Sequence, residues 1–376
     1  MTILGVGRTQ AYVHVTQFRQ RFLWKLHNSA RRMDRYLSRT VPVVHAASRD
    51  FVHNAQRIRF RPGMVAGAQD MPEEGHMTNG RDVLADIPVD LCVNLPCETG
   101  EGPLWHDTTN TLLWVDIPAG RLYRYNPEDG RNEVVYEHHG MLGGYTIQHD
   151  DSLVLFASDG AILHFDHARI EAIVPQIDDV VGSRFNDVIA DPEGRVFCGT
   201  MPLKGDAPAH LYRLDLDGSL HLVFDDIQLS NGMGFSPDLS TFYHTDSNAL
   251  RIYRMPYNRE TGELGERDVL VQVPEGEGVP DGMTVDTDGT IWSARWGGNA
   301  IFRYSPEGEL LEAFPMPVHK VTSVTFAGDG YDEAYATSGG GQDRGAENGE
   351  LAGSLFRVHI DARGRAPFRS RVAVPD

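Results

Sequence analysis

Four oxygen-bearing side chains stand at equivalent positions of a repeated segment: Glu101, Asn186, Asn231 and Asp281. Each precedes the aromatic residue of a short apolar stretch by 11 to 13 residues. In three of the four the next residue is glycine. Glycine lets the backbone approach a shared axis closely. Taken singly, Asn-Gly and Asp-Gly are ordinary turn dipeptides. Four such positions in phase, with complementary chemistry, predict a common site.

Two carboxylates and two amide oxygens form a hard, oxygen-only ligand set. Such a set suits one divalent ion, namely calcium, magnesium or manganese, and it tolerates zinc. A metal ion at a carbonyl oxygen stabilises the negative charge that ester hydrolysis places there, and it makes a neighbouring water more acidic. A carboxylate beside such an ion can then act as the base that deprotonates the water.

The repeat itself predicts the elements that position these residues. An aromatic residue in a short apolar strand follows a turn rich in Asp, Gly or Pro six times, at Trp114, Phe156, Phe197, Tyr243, Trp292 and Tyr335. The steps between them are 42, 41, 46, 49 and 43 residues. A period of about 45 residues accommodates four antiparallel strands, which is one propeller blade. The sequence therefore predicts an all-β, six-bladed β-propeller over residues 81–376, whose central channel collects the four side chains.

The segment around Asp86 to Asn94 is expected to supply an outer strand to the last blade and so to cover its edge. The first 80 residues lack the strand rhythm and carry 12 Lys/Arg against 5 Asp/Glu. We interpret residues 1–80 as an N-terminal extension, either disordered or a basic amphipathic helix, or as an addition upstream of a true start at Met77. Sequence alone does not choose between these alternatives.

Composition limits the partners. With 34 Lys/Arg against 53 Asp/Glu, the formal net charge is -19, the wrong sign for binding nucleic acid. No apolar run approaches the ~20 residues of a membrane span, so no membrane partner is expected. Three cysteines are too few for a disulfide framework, which favours the cytoplasm. Oligomeric state leaves no signal in the sequence.

Residues 98–339 resemble the sugar-lactonase family of gluconolactonases and regucalcin, a group of six-bladed propellers. The matching motifs are, in chain order, Gly100-Glu101-Gly102-Pro103-Leu104-Trp105, Arg184-Phe185-Asn186-Asp187, Gly199-Thr200-Met201, Ser230-Asn231-Gly232 and Pro280-Asp281-Gly282. Each motif is short, but their order and separations are those of the family. The resemblance implies a carboxylic-ester hydrolase that opens an aldonolactone, a small-molecule sugar lactone, to its acid.

The resemblance further implies roles for individual residues. Glu101, Asn231 and Asp281 would bind the divalent metal, and Asp281 would serve as the base. Arg184 and Asn186 would hold oxygens of the substrate, so that Asn186 has two candidate roles, ligand and substrate contact. At the position where regucalcin-like members carry an acidic residue that touches the sugar, this chain has Pro202-Leu203-Lys204. The identity of the lactone is therefore open.

Two aromatic residues, Tyr145 and Trp296, are candidates for the apolar wall under a sugar ring. Core packing is the alternative for both, and a salt bridge between blades is the alternative for Arg184. The same ligand set would also serve a calcium-binding propeller without turnover. A scaffolding propeller, in contrast, has no need of ligands in phase at its axis.

Overall fold

The computed structural model of the protein describes residues 57–58, 89–204 and 209–374, and these form an almost entirely β structure. Apart from the strand at 57–58, the predicted extension over residues 1–80 and the alternative start at Met77 lie outside the described residues. No helix within the described ranges has the length and apolar composition needed to cross a membrane.

The described residues contain twenty-five strands in six sheets. The first two strands are β1 (Arg57–Ile58) and β2 (Val89–Val93). Blade 1 contains β3 (Gly100–His106), β4 (Thr111–Asp116), β5 (Arg121–Tyr125) and β6 (Asn132–Glu137). Blade 2 contains β7 (Leu142–Ile147), β8 (Leu153–Ala157), β9 (Ile162–Phe165) and β10 (Ile170–Val174). Blade 3 contains β11 (Ser183–Ala190), β12 (Val196–Pro202), β13 (Ala209–Leu214) and β14 (Leu220–Ile227).

The remaining strands complete the ring. Blade 4 contains β15 (Ser230–Phe235), β16 (Thr241–Asp246), β17 (Arg251–Pro256) and β18 (Asp268–Gln272). Blade 5 contains β19 (Val279–Val285), β20 (Ile291–Trp296), β21 (Ala300–Tyr304) and β22 (Leu310–Pro315). Blade 6 contains β23 (Val321–Ala327), β24 (Glu333–Ser338) and β25 (Leu355–Val358), with β2 and β1 beyond β25. Short 3-10 turns occur at Asp178–Val180 and Gly341–Asp343.

The blades close into a ring. Within each blade neighbouring strands are antiparallel, and each inner strand contacts the inner strands of the two adjacent blades, in the cyclic order β3, β7, β11, β15, β19, β23. The ring is joined in blade 6, where β2 pairs with β25 from Val89 opposite Val358 to Val93 opposite Leu355. The predicted six-bladed propeller and the predicted outer strand of the last blade are confirmed.

The repeated aromatic residues form the layers between blades. All six lie on second strands and are at most 4% exposed. Trp114 stacks on Tyr123 of the next strand, with ring centroids 4.8 Å apart, and Trp292 stacks on Phe314 at 5.0 Å. The aromatic period in the sequence therefore reflects one buried packing position in each blade, where large rings fill the space between twisted sheets.

All six inner strands contain a bulge at the same level of the ring. The register between first and second strands shifts in the intervals Glu101/Leu104, Leu142/Gly144, Phe185/Val188, Asn231/Met233, Pro280/Met283 and Val321/Ser323. A bulge breaks the strict alternation of side chains and bends the strand locally. The bulges therefore allow successive residues near the start of an inner strand to face the channel.

The C-terminal segment, residues 359–374, runs along the far ends of the inner strands. Arg365 donates from Nη2 to the carbonyl oxygen of Phe235 (2.7 Å), the last residue of β15. The amide of Ser370 donates to the carbonyl oxygen of Ile147 (2.9 Å), the last residue of β7. This strap, which the sequence pattern did not predict, lies at the end of the ring opposite the starts of the inner strands.

The narrow centre of the ring requires glycine at Gly143 in β7. A Cβ atom built there would overlap the carbonyl oxygen of Phe185 in the neighbouring inner strand. We predict that Gly143→Ala forces β7 and β11 apart and lowers the free energy of unfolding by about 3 kcal/mol, which lowers Tm by about 5 °C. Gly330→Ala is the control, because its Cβ would meet only the flexible Asp332 side chain. Equal Tm values for the two variants would contradict close packing of the inner strands.

Candidate functional site

The structure brings the four predicted oxygen-bearing residues together at the starts of the inner strands. Glu101, Asn186, Asn231 and Asp281 are each only 4–5% exposed. Asn231 of blade 4 donates from Nδ2 to Oδ1 of Asp281 in blade 5. Asn186 of blade 3 donates from Nδ2 to the carbonyl oxygen of Ser230 in blade 4 (2.8 Å). Direct contacts therefore link the site residues of blades 3, 4 and 5.

Glu101 in blade 1 lies close enough to the other acidic residues for their charges to affect its pKa. Burial raises the pKa of the Glu101 carboxyl well above its usual range, and the charges of Asp281 and Asp187 raise it further. Burial likewise raises the pKa of Asp281, with a second contribution from Asp187, while the hydrogen bond from Asn231 opposes the rise. Carboxylates so close together in a buried site repel one another unless a cation lies between them.

Asp187 is a third acidic residue of the site, which the sequence reasoning did not select. It is half-buried, and burial raises the pKa of its carboxyl to about 6, against the opposing influence of Arg184. Strict strand alternation would direct Asn186 and Asp187 to opposite faces of the sheet. The bulge between Phe185 and Val188 removes that constraint. The only sequence feature that could have indicated Asp187 was its position directly after the predicted site residue Asn186.

The ligand chemistry fits a divalent cation. Both described hydrogen bonds of the Asn231 side chain use Nδ2, which donates to Ser247 and Asp281. Its Oδ1 is buried and has no hydrogen-bond partner in the part of the chain that the structure describes. A buried amide oxygen without a partner, on a side chain that contacts the Asp281 carboxylate, could coordinate an oxygen-preferring ion.

The described residues contain no cluster made only of the acidic, histidine or cysteine side chains that most often bind metals. Among the residues that the structure describes, no three His, Cys, Asp or Glu side chains are grouped so as to hold a metal ion. The site at the ring axis relies instead on amide oxygens beside its carboxylates. The preference for calcium, magnesium or manganese stays a prediction.

Arg184 lies against the acidic group and keeps its positive charge. Its Nη1 donates to the carbonyl oxygen of Phe185 (2.9 Å) and to Oδ1 of Asn186, and its Nη2 contacts Sδ of Met201 at 3.1 Å. Burial lowers the pKa of the guanidinium to about 10, so it remains protonated at neutral pH. In the described ranges no carboxylate lies within ion-pair distance of it, so a salt bridge between blades does not account for its position.

The two predicted aromatic wall residues occupy different surroundings. Tyr145 is buried and donates from its hydroxyl to the carbonyl oxygen of Gly102 (2.7 Å), so it also fixes the backbone beside Glu101. Trp296 is half-buried at the end of β20, and the ammonium of Lys320 lies 4.9 Å from the centre of its ring. Trp292, four residues earlier, belongs to the core between blades 5 and 6. A substrate role for Tyr145 and Trp296 remains a prediction.

A cavity of about 150 Å³ extends along the axis below the site. Asp187 and Tyr145 line it at the level of the site, and Phe368 of the C-terminal strap lines its far end. The strap therefore lines the channel at the end away from the site.

Comparison with known proteins places the chain in a family. Residues 99–340 match the family described as the SMP-30/gluconolactonase/LRE-like region. The chain belongs to this family. A pentonolactonase of Haloferax volcanii is 44% identical over 76% of this chain and 99% of its own length. Regucalcin of Sus scrofa is 30% identical over 76% of this chain and 99% of its own.

A solved structure shares the architecture of the family. The structure of a calcium-binding protein, regucalcin, from Agrobacterium tumefaciens superposes with a TM-score of 0.71 at 26% identity, and the match covers 75% of this chain and 97% of that one. The predicted membership of the sugar-lactonase family is confirmed.

His244 supports the site from behind, and its titration can be tested. It is fully buried, and its Nε2 lies 2.8 Å from Oγ of Ser230, whose carbonyl oxygen accepts the hydrogen bond from Asn186. Burial, aided by the charge of Arg267, lowers the pKa of His244 to about 3. An unfolded histidine titrates near ~6.5.

The unfolded chain therefore takes up a proton at His244 that the folded chain excludes until about pH 3. The stability that neutral His244 contributes is fully present above about pH 6.5 and falls as the pH is lowered, by up to about 1.4 kcal/mol per pH unit. We predict a smaller loss of stability between pH 6.5 and 4 in His244→Gln than in the wild type, measured by denaturant unfolding. Parallel curves for the two proteins would contradict a neutral His244.

Proposed function

We propose that this protein hydrolyses the ester bond of an aldonolactone to give the open-chain acid, with one divalent metal ion and with Asp281 as the base. The observation that carries the proposal is the buried Oδ1 of Asn231, which has no hydrogen-bond partner among the described residues, on a side chain that donates to Asp281. The chain is a lactone-hydrolysing hydrolase in its class, in agreement with the names of its relatives. Metal dependence and the roles of residues are our inference.

Glu101, Asn231 and Asp281 would hold the ion, and Asn186 would serve either as a fourth ligand or as a substrate contact. Calcium, magnesium, manganese and zinc all remain candidates, and the oxygen-only donors favour the first three. When bound, a divalent ion polarises the ester carbonyl and makes a nearby water more acidic. The excess of carboxylates over guanidinium at the site supplies the negative charge that attracts such an ion.

Asp281 would accept the proton of the attacking water. The Asn231 amide engages only Oδ1 of its carboxylate, which fixes the orientation of the group. Arg184 presents a planar, charged donor group beside Asn186, and such a group suits the carbonyl or hydroxyl oxygens of a sugar lactone. Because the site residues are buried, these charges act in a medium of low polarity, where they stabilise developing charge more strongly.

The name of one relative suggests the substrate class to test first. The relative from Haloferax volcanii is named a pentonolactonase, so five-carbon aldonolactones are the first substrates to test. Tyr145 and Trp296 would contact the apolar face of the sugar ring. Lys204, where other members carry an acidic residue, is exposed. Three free cysteines support the cytoplasm as the compartment.

A second candidate function is calcium binding without turnover. The structural relative from Agrobacterium tumefaciens is titled a calcium-binding protein, and the same oxygen donors would serve that function. The two candidates differ in one measurable property, which is hydrolysis of a lactone by the metal-loaded protein.

Removal of metal is the first test. We expect the purified protein to hydrolyse at least one member of a panel of pentono- and hexonolactones. Treatment with a chelator should abolish this activity, because the carboxylates would again repel one another and the carbonyl would lose its electrophilic partner. Addition of calcium, magnesium or manganese should restore it, as followed by pH-indicator assay. Full activity in the chelated protein would contradict metal dependence, and a metal-loaded protein inactive on every lactone would favour the binding function.

Asp281→Asn tests the base. The change is nearly isosteric, so we expect an unaltered circular dichroism spectrum and a loss of turnover of about 10³-fold. Asp286→Asn is the matched control, because Asp286 is also a buried aspartate of blade 5 but accepts hydrogen bonds from Thr290 and Trp292 away from the site. That variant should lose stability and keep its turnover. Wild-type turnover in Asp281→Asn would exclude this residue as the base.

A further inference from the structure

We infer that Ser247 is a positioning residue, which locks the Asn231 side chain with its oxygen toward the ion and joins two ligand strands. This inference rests on the metal site proposed above. Ser247 follows β16 directly, is 2% exposed and belongs to none of the motifs that define the site in the sequence.

The direction of the hydrogen bonds around Ser247 is fixed by its single proton. Its Oγ lies 2.6 Å from the carbonyl oxygen of Pro280, and since a carbonyl only accepts, the hydroxyl must donate there. Its Oγ also lies 3.1 Å from the amide group of Asn231. With its proton committed to Pro280, Ser247 can only accept from Asn231.

The orientation of the Asn231 amide follows from this constraint. Ser247 and the carboxylate of Asp281 are both acceptors, so both hydrogens of Nδ2 are directed at them. A flipped amide would turn Oδ1 toward two acceptors and lose both hydrogen bonds. In the observed orientation Oδ1 is buried and has no hydrogen-bond partner among the described residues, so it is available to an ion. The amide is therefore set as an oxygen donor before any ion binds.

Ser247 also braces the neighbouring ligand. Pro280 immediately precedes Asp281, at the bulge of β19. By accepting from Asn231 and donating to Pro280, one hydroxyl connects the ligand of blade 4 to the backbone that carries the ligand of blade 5. The backbone amide of Ser247 donates to the carbonyl oxygen of Leu229 (3.0 Å), which holds the loop against the start of β15.

Close packing makes this bridge possible. A Cβ atom at Gly232, the residue after Asn231, would lie 2.6 Å from the carbonyl oxygen of Asp281. Only glycine therefore allows β15 and β19 to approach closely enough for a single serine to reach both strands. Positioning by Ser247 thus depends on the same narrowing of the ring that gathers the ligands.

Ser247→Ala tests the role in the full-length protein, freed of metal by chelation. We expect the dissociation constant for Ca²⁺, measured by calorimetry, to rise about tenfold, because Asp281 alone still favours the observed amide orientation but no longer holds it rigidly. Tb³⁺ is a hard ion with a similar ligand preference, and its coordinated waters can be counted from luminescence lifetimes in H₂O and D₂O. In the variant we expect about one additional coordinated water, because water replaces Oδ1 of Asn231 as a ligand.

Ser370→Ala is the matched control. Ser370 is equally buried, shares a hydrogen bond with the Thr146 hydroxyl (2.8 Å) and donates to the carbonyl oxygen of Ile147, at the opposite end of the ring. It should lower Tm by a similar amount and leave both Ca²⁺ affinity and Tb³⁺ hydration unchanged.

Wild-type affinity and hydration in Ser247→Ala would overturn the positioning role, as would equal effects of the two alanine variants. Failure of the wild-type protein to bind Ca²⁺ or Tb³⁺ would overturn the metal site itself and this role with it. The wild-type titration reports failure of the metal site, and the variants report failure of the positioning role. The two failures are therefore distinguished.

Discussion

Mutual repulsion of buried carboxylates at the ring axis is the constraint on which the rest of this structure depends. Burial raises the pKa of all three carboxyls, those of Glu101, Asp187 and Asp281, and the charge of Asp187 raises the pKa of the other two further. The positive charge of Arg184 opposes the rise at each of them. An acidic group of this kind is unfavourable in a folded core unless it binds a cation or works on a substrate. The surrounding fold holds these residues in place despite that cost, which is the usual relation between stability and a functional site.

Two features of the propeller make the arrangement possible. Ring closure brings the starts of six inner strands to one axis, and a bulge in each strand relaxes the alternation of side chains at that level. A flat sheet with regular strands would separate these oxygens by the spacing between strands and would turn neighbours such as Asn186 and Asp187 apart. The bulges thus connect the architecture to the chemistry.

The residues around the site support it through hydrogen bonds as well as through packing. The hydroxyl of Tyr145 fixes the Gly102 carbonyl, and neutral His244 lies against Ser230, whose carbonyl oxygen accepts from Asn186. At the far end the C-terminal strap crosses the ring, and its residue Phe368 lines the channel there. Low polarity around the site strengthens each of these interactions.

The sequence by itself determined the number of blades, the outer strand of the last blade and the four oxygen-bearing positions, because each recurs with the period of one blade and carries its own chemical signature. Tertiary structure alone decided the inward orientation of Asp187, the bridge through Ser247 and the path of the strap. A bulge, a hydrogen bond between blades and a tail crossing the ring depend on residues far apart in the chain, and such contacts have no period that a sequence pattern can reveal.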